Sequence, residues 1–114
     1  VKRGLYHKTK LTNELMDLFW KPMKESNGRK GFLHFAKCLD NKNLMEIESE
    51  IRQLQIPVLI IRGEADVYLS GAISDKLYAE IPGSQLVKIE KGGHFIQEDE
   101  PEEIASHILN FYKS

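Results

Sequence analysis

Between Pro57 and Arg62 the chain carries Val58-Leu59-Ile60-Ile61, an unbroken apolar run in which three of four side chains are β-branched. With no polar alternation, such a run predicts a strand buried on both faces, as in a parallel sheet. Pro57 precedes it, where a missing N–H costs least. Gly63-Glu64-Ala65-Asp66 breaks the strand, and Ala72, Ile73, Leu77 and Ile81 then recur at helical spacing up to Pro82-Gly83. A second strand reads Leu86-Val87-Lys88-Ile89, and Gly92-Gly93-His94 turns out of it. Pro101 opens a last helix at the first helical position, which proline favours. Ile104, Ala105, Ile108, Phe111 and Tyr112 are its expected inner face. Strand, helix, strand, helix demands parallel strands joined by a right-handed crossover. The fold class is α/β, with parallel strands and flanking helices.

The first half has another character. Residues 1–57 hold 11 basic and 7 acidic residues, whereas residues 58–114 hold 5 and 10. Thr12 can cap a helix whose stripe is Leu11, Leu15, Leu18 and Phe19, and Pro22 stops or kinks it. Ser26-Asn27-Gly28 reads as a turn, with Asn27 capping a second helix that carries Phe32, Leu33, Phe35, Ala36 and Leu39. Asp40-Asn41-Lys42-Asn43 ends that helix. Leu44–Leu54 is a third helical stretch, with Leu44, Ile47, Ile51 and Leu54 on one face. Two segments result, a helical one at residues 1–53 and an α/β one at residues 54–114.

Composition narrows the function classes. At 114 residues, 41% hydrophobic and 29% charged, the chain has one globular domain's worth of material. A net charge of −1 argues against nucleic acid or a polybasic membrane contact. The longest clean apolar run is four residues, too short to span a bilayer. One cysteine, Cys38, excludes an internal disulfide and fits a reducing, cytoplasmic setting. The chain starts at Val1 with no leader pattern, so the expectation is a piece of something longer.

In an open parallel sheet, functional groups gather at the carboxyl ends of the strands. Asp66 follows the first strand and His94 the second, 28 residues on. Adjacent strands would bring the two tips together, so the carboxylate could hydrogen-bond the imidazole. That contact fixes the tautomer and stabilises the imidazolium, the supporting half of a nucleophile–base–acid triad. Gly92-Gly93 would let the backbone turn sharply and aim the ring.

These residues carry a resemblance. Ile56–Asp66, Ile81-Pro82-Gly83-Ser84, Gly92-Gly93-His94-Phe95 and Glu100-Pro101-Glu102 together resemble the C-terminal end of an α/β-hydrolase fold enzyme, over roughly residues 54–112. The resemblance implies that Asp66 is the triad acid and His94 the general base. It makes the fold a truncated α/β-hydrolase fold preceded by a helical cap segment, residues 1–53 resembling the end of a cap. It further implies hydrolysis of a small apolar substrate, carboxylester or related, by the full-length protein, with no cofactor and no metal. The family's nucleophile sits on a Gly-x-Ser-x-Gly elbow, or an aspartate equivalent, and no such elbow occurs here. Ser70 precedes Gly71 but follows Tyr68 and Leu69; Ser26, Ser49, Ser74, Ser84, Ser106 and Ser114 also lack the pattern. The chain alone should therefore be inactive. The alternative is a non-catalytic hydrolase-fold binding module.

Other residues have plainer readings. His34 fits packing between apolar neighbours, or a place in a pocket wall; His7 and His107 read as structural or solvated. The acids of Glu98–Glu103 suit a helix N-terminus. Phe19-Trp20 and Phe32-x-x-Phe35 fit either an aromatic wall for an apolar ligand or ordinary packing. Tyr68 could line a pocket, and Cys38 reads as a small buried hydrophobe. A two-stranded sheet leaves unpaired edges, so the expected partner is a second copy, joined through a strand edge or by exchange of helices.

Overall fold

The computed structural model describes residues 1–39 and 46–113. Strand β1 (Leu59–Gly63) pairs in parallel with β2 (Gln85–Ile89), Leu59 opposite Gln85 through to Gly63 opposite Ile89. The ladder continues past both ends: Gln85 N–H donates to the Val58 carbonyl and Glu64 N–H to the Ile89 carbonyl, each at 2.9 Å. Helices combined with a small parallel sheet are the α/β arrangement that the strand–helix alternation demands. One expectation fails. Leu59, Ile60, Ile61 and Arg62 are half-buried, not covered on both faces, because among the described residues the sheet has two strands and little helix against it.

Among the described residues, three α-helices, α1 to α3, precede β1, and between the strands runs α4 (Gly71–Glu80), the crossover. Ser70 caps it, its hydroxyl accepting from Ala72 N–H at 3.3 Å, and buried Ile81 closes it by donating to the Leu77 carbonyl. After β2 comes a single turn not anticipated from the sequence, α5 (Ile96–Asp99), and then α6 (Pro101–Lys113). Helix α6 meets β1 through a stripe rotated from the expected one. Ile104, His107 and Phe111 are half-buried, whereas Ile108 is exposed and Tyr112 is 83% exposed. A two-stranded sheet is wide enough for one narrow stripe and leaves the adjacent positions in solvent.

In the first half, α1 (Asn13–Lys24) begins where expected, with Thr12 Oγ1 accepting from Leu15 N–H at 3.1 Å. Pro22 lies in its last turn, and the helix ends two residues later. Ser26-Asn27-Gly28 is no turn: it is the first turn of α2 (Ser26–Cys38), whose N-cap position is Glu25. Two features let the helices abut with one residue between them. Arg29 reaches back to the Met23 and Lys24 carbonyls, 2.8 Å each, satisfying the end of α1. At Gly28, a Cβ would overlap the Pro22 carbonyl, so glycine permits the crossing. The third helix is shorter than predicted, α3 (Glu48–Ile51), and Leu44 and the Asp40–Asn43 terminator lie outside the described residues. Glu48 accepts from Arg52 (2.8 Å) and Lys76 (2.9 Å), linking α3 to α4. These cations, Lys76 first, hold the Glu48 carboxyl below its ordinary pKa.

The first ten residues lie against the C-terminal half. Two 3-10 turns (Lys2–Gly4 and Lys8–Lys10) flank Leu5, which is buried. Among the described residues, the buried apolar side chains are Leu5 in this segment, Ile81 at the end of α4 and Ile89 at the end of β2. Among those residues, no helix is long and apolar enough to cross a membrane.

Candidate functional site

The carboxyl ends of β1 and β2 are held together closely. Ala65 N–H donates to the Gly92 carbonyl at 3.0 Å, and Asp66 N–H turns back to the Gly63 carbonyl at 3.3 Å. A Cβ on Gly63 would overlap the Gly92 and Gly93 carbonyl oxygens, and one on Gly93 would overlap the Gly4 carbonyl. These glycines serve close approach. The sharp turn expected of Gly92-Gly93 is made without positive φ, which among the described residues occurs at Gly83.

This approach brings the two predicted residues into contact. Asp66 Oδ1 accepts from the N–H groups of Tyr68 (2.8 Å) and Leu69 (3.1 Å), which aims Oδ2 at His94 Nδ1, 3.0 Å away. Accepting by the carboxylate assigns the proton to Nδ1 and leaves the Nε2 lone pair outward. Among the described residues, nothing bonds Nε2. The Asp66 side chain is 9% exposed and that of His94 35%, so the acid is shielded while the ring faces outward. Burial pushes the Asp66 pKa up, and the His94 ring with the two backbone donors more than reverses it, leaving the carboxyl below its ordinary value. Tyr68 stands edge-on to the His94 ring at 5.1 Å, and Phe95 does so at 5.3 Å. Arg62 donates to the Leu69 carbonyl at 3.2 Å and pins the Asp66 loop.

Asp66 and His94 open into a cavity of about 240 Å³ whose wall includes Ile61, Leu69, Ile73, Leu77 and Ile96. It is apolar and smaller than the roughly 300 Å³ at which small-ligand pockets begin. Ser70 and Ser74 also line it, but Ser70 caps α4 and Ser74 Oγ donates to the Gly71 carbonyl at 2.9 Å. Neither hydroxyl meets His94. An Asp–His pair arranged this way can accept a proton at Nε2 and stabilise the resulting imidazolium.

The chain is 27% identical over 110 residues to "Uncharacterized hydrolase YugF" of Bacillus subtilis (strain 168). The match takes in 96% of this chain and 39% of that protein, so the chain spans about two fifths of its relative's length. No family model matches. The likeness points to a hydrolase relationship and to no particular family.

Elsewhere the sequence reading needs correction. Asp99 is more than a favourable charge at a helix start. It is 0% exposed, and its carboxylate accepts from Tyr6 N–H (2.9 Å), His7 N–H (2.9 Å) and Gly93 N–H (2.8 Å). Burial raises its pKa and the three donors outweigh burial, so it too lies below the ordinary value. Its donors come from 92 and 93 positions away and from six, so nothing local distinguished Asp99 among its acidic neighbours. Of the two readings of His7, structural or solvated, the structure favours the first: Nε2 meets Glu100 Oε1 at 2.6 Å. Cys38 is exposed, not buried, with Sγ 3.7 Å from His34 Nε2 one helical turn earlier. Phe19 packs edge-on against Phe95 at 5.3 Å, while Trp20, Phe32 and Phe35 are exposed. Among the described residues, no group of three or more His, Cys, Asp or Glu side chains is arranged to hold a metal ion.

Proposed function

We propose that this chain supplies the acid–base half of a hydrolase site, with His94 as general base and Asp66 as the acid that orients it. The carrying observation is the Asp66 Oδ2–His94 Nδ1 contact of 3.0 Å at the tips of adjacent parallel strands, with Nε2 facing outward. In this reading the chain corresponds to the end of an α/β-hydrolase fold, residues 1–53 closing a helical cap and residues 54–114 closing the core. The nucleophile, serine or aspartate, belongs to sequence outside these 114 residues. His94 Nε2 takes the proton of an attacking hydroxyl or water and later returns it to the leaving group, while Asp66 holds the imidazolium. The apolar wall beside the pair favours a small apolar carboxylester or related substrate. The hydrolase name of the Bacillus subtilis relative supports the reading. Incomplete enclosure of the cavity agrees with a site finished by other sequence.

The test uses the protein made from the complete reading frame. A fluorophosphonate probe should label a serine nucleophile there, and His94→Ala should abolish both labelling and ester hydrolysis. Hydrolysis without labelling indicates an aspartate nucleophile. A second reading, a non-catalytic binding module, draws on the exposed apolar residues of α1 and α2, including Leu18, Trp20, Leu33 and Phe35. Absence of both labelling and hydrolysis in that complete protein would establish the second reading over the first.

A further inference from the structure

We propose that Asp99 is a positioning residue for His94, fixing the loop that carries the ring and tying it to the segment Gly4–His7; this role rests on the acid–base reading above. The residues on both sides of His94 are held through their backbone. Before it, Gly93 N–H donates to Asp99 Oδ2 at 2.8 Å; after it, Phe95 N–H donates to the Gly4 carbonyl at 3.1 Å. The two anchors are themselves joined. The same carboxylate accepts from Tyr6 N–H through Oδ2 and from His7 N–H through Oδ1, each at 2.9 Å, so it fastens the segment that receives Phe95. Lys10 Nζ adds a bond to the Asp99 carbonyl, and His7 Nε2 meets Glu100 Oε1 at 2.6 Å.

The energetics favour a dedicated role. A carboxylate with 0% exposure is retained only where donors replace its hydration, and hydrogen bonds to a charged group are the strong ones. Here all three donors are main-chain N–H groups, which have no rotamers to lose and convert one side chain into a fixed reference for two chain segments. His94 lies between a residue bound to that reference and a residue bound to the segment it fastens. Its ring otherwise keeps direction through the Asp66 contact and the neighbouring Tyr68 and Phe95 rings, each of which requires the loop to be in place. Asp99 does not touch His94's ring and has no part in proton transfer. It acts through Gly93.

Histidine-ring NMR of the ¹⁵N-labelled 114-residue chain tests this. In the unmodified chain, His94 Nδ1–H should give a low-field signal from its bond to Asp66. Asp66→Asn should remove it. Survival of the signal in Asp66→Asn would count against the acid–base reading itself, independently of Asp99. Asp99→Asn should also lose the signal and leave His94 in a mixture of both tautomers, with the His34 and His107 signals unchanged. Asp99→Glu, which keeps the charge, should recover the signal in part. A folded Asp99→Asn chain with the His94 signal intact overturns the proposal. If Asp99→Asn does not fold, amide exchange in the unmodified chain decides. Gly93 N–H should exchange at least about ten-fold more slowly than the exposed Lys91 N–H, and equal rates overturn the proposal.

Discussion

Asp66 and Asp99 are two shielded carboxylates held by different means. Asp66 divides its oxygens between its own turn and the His94 ring, whereas Asp99 accepts only from backbone N–H groups. The division matters for catalysis, because only Asp66 touches the proposed base. In the protein from the complete reading frame, Asp66→Asn should lower turnover by roughly 10⁴-fold while leaving the fold intact, because it leaves the imidazole in the wrong tautomer. Steady-state ester hydrolysis with far-UV circular dichroism checks this, and wild-type turnover in Asp66→Asn would remove the acid assignment. Both carboxyls have folded pKa values below the unfolded value of about 3.9. The unfolded chain therefore binds protons more readily, so the stabilisation is complete above about pH 4 and disappears as pH falls through the folded values. Acid unfolding should begin below about pH 4, with a shallower dependence in Asp99→Asn, as an acid titration followed by circular dichroism would show.

Helix starts show how local chemistry and tertiary contact divide the control of structure. Thr12 caps α1 through its own hydroxyl, so Thr12→Ala should cost about 1 kcal/mol in urea unfolding. Asn27 looks equally suited to capping but lies inside the first turn of α2, and Asn27→Ala should leave stability within about 0.5 kcal/mol. The strand tips are less forgiving. Gly63→Ala should cost about 1–3 kcal/mol, because its Cβ would overlap backbone oxygens that cannot rotate away. The same division explains what could be read in advance. Both strands, their parallel pairing, α4 and the proline-led α6 were legible because apolar runs and punctuating glycines and prolines are local signals. So was the meeting of Asp66 with His94, since strand tips in a parallel sheet share an edge. The α1–α2 junction was not, because Arg29 satisfies carbonyls five and six residues back and Gly28 answers to the Pro22 carbonyl. Asp99 was hidden for a related reason: two of its three donors arrive from the opposite end of the chain.

At the scale of the whole molecule, apolar surface exceeds what the described elements cover. The radius of gyration is 16.5 Å, against about 13 Å for a compact domain of this length. Trp20, 59% exposed, stands with Leu18, Phe32, Leu33 and Phe35 on α1 and α2, and the sheet they accompany has two strands among the described residues. Contiguous apolar surface and unpaired strand edges both lower their free energy by finding a partner. In solution the 114-residue chain should therefore self-associate, with a light-scattering mass rising with concentration toward about twice the 13.1 kDa of one chain. Two modes of association separate by hydrogen exchange. Pairing through the strand edge should slow exchange in Leu59–Gly63 as concentration rises, whereas exchange of α1 and α2 between copies should leave those amides unchanged. A constant 13.1 kDa at high concentration would show that the exposed edge and helices are tolerated in water. Association would instead show that a second copy covers the apolar face of α1 and α2 or the open strand edge, and the exchange pattern says which of the two.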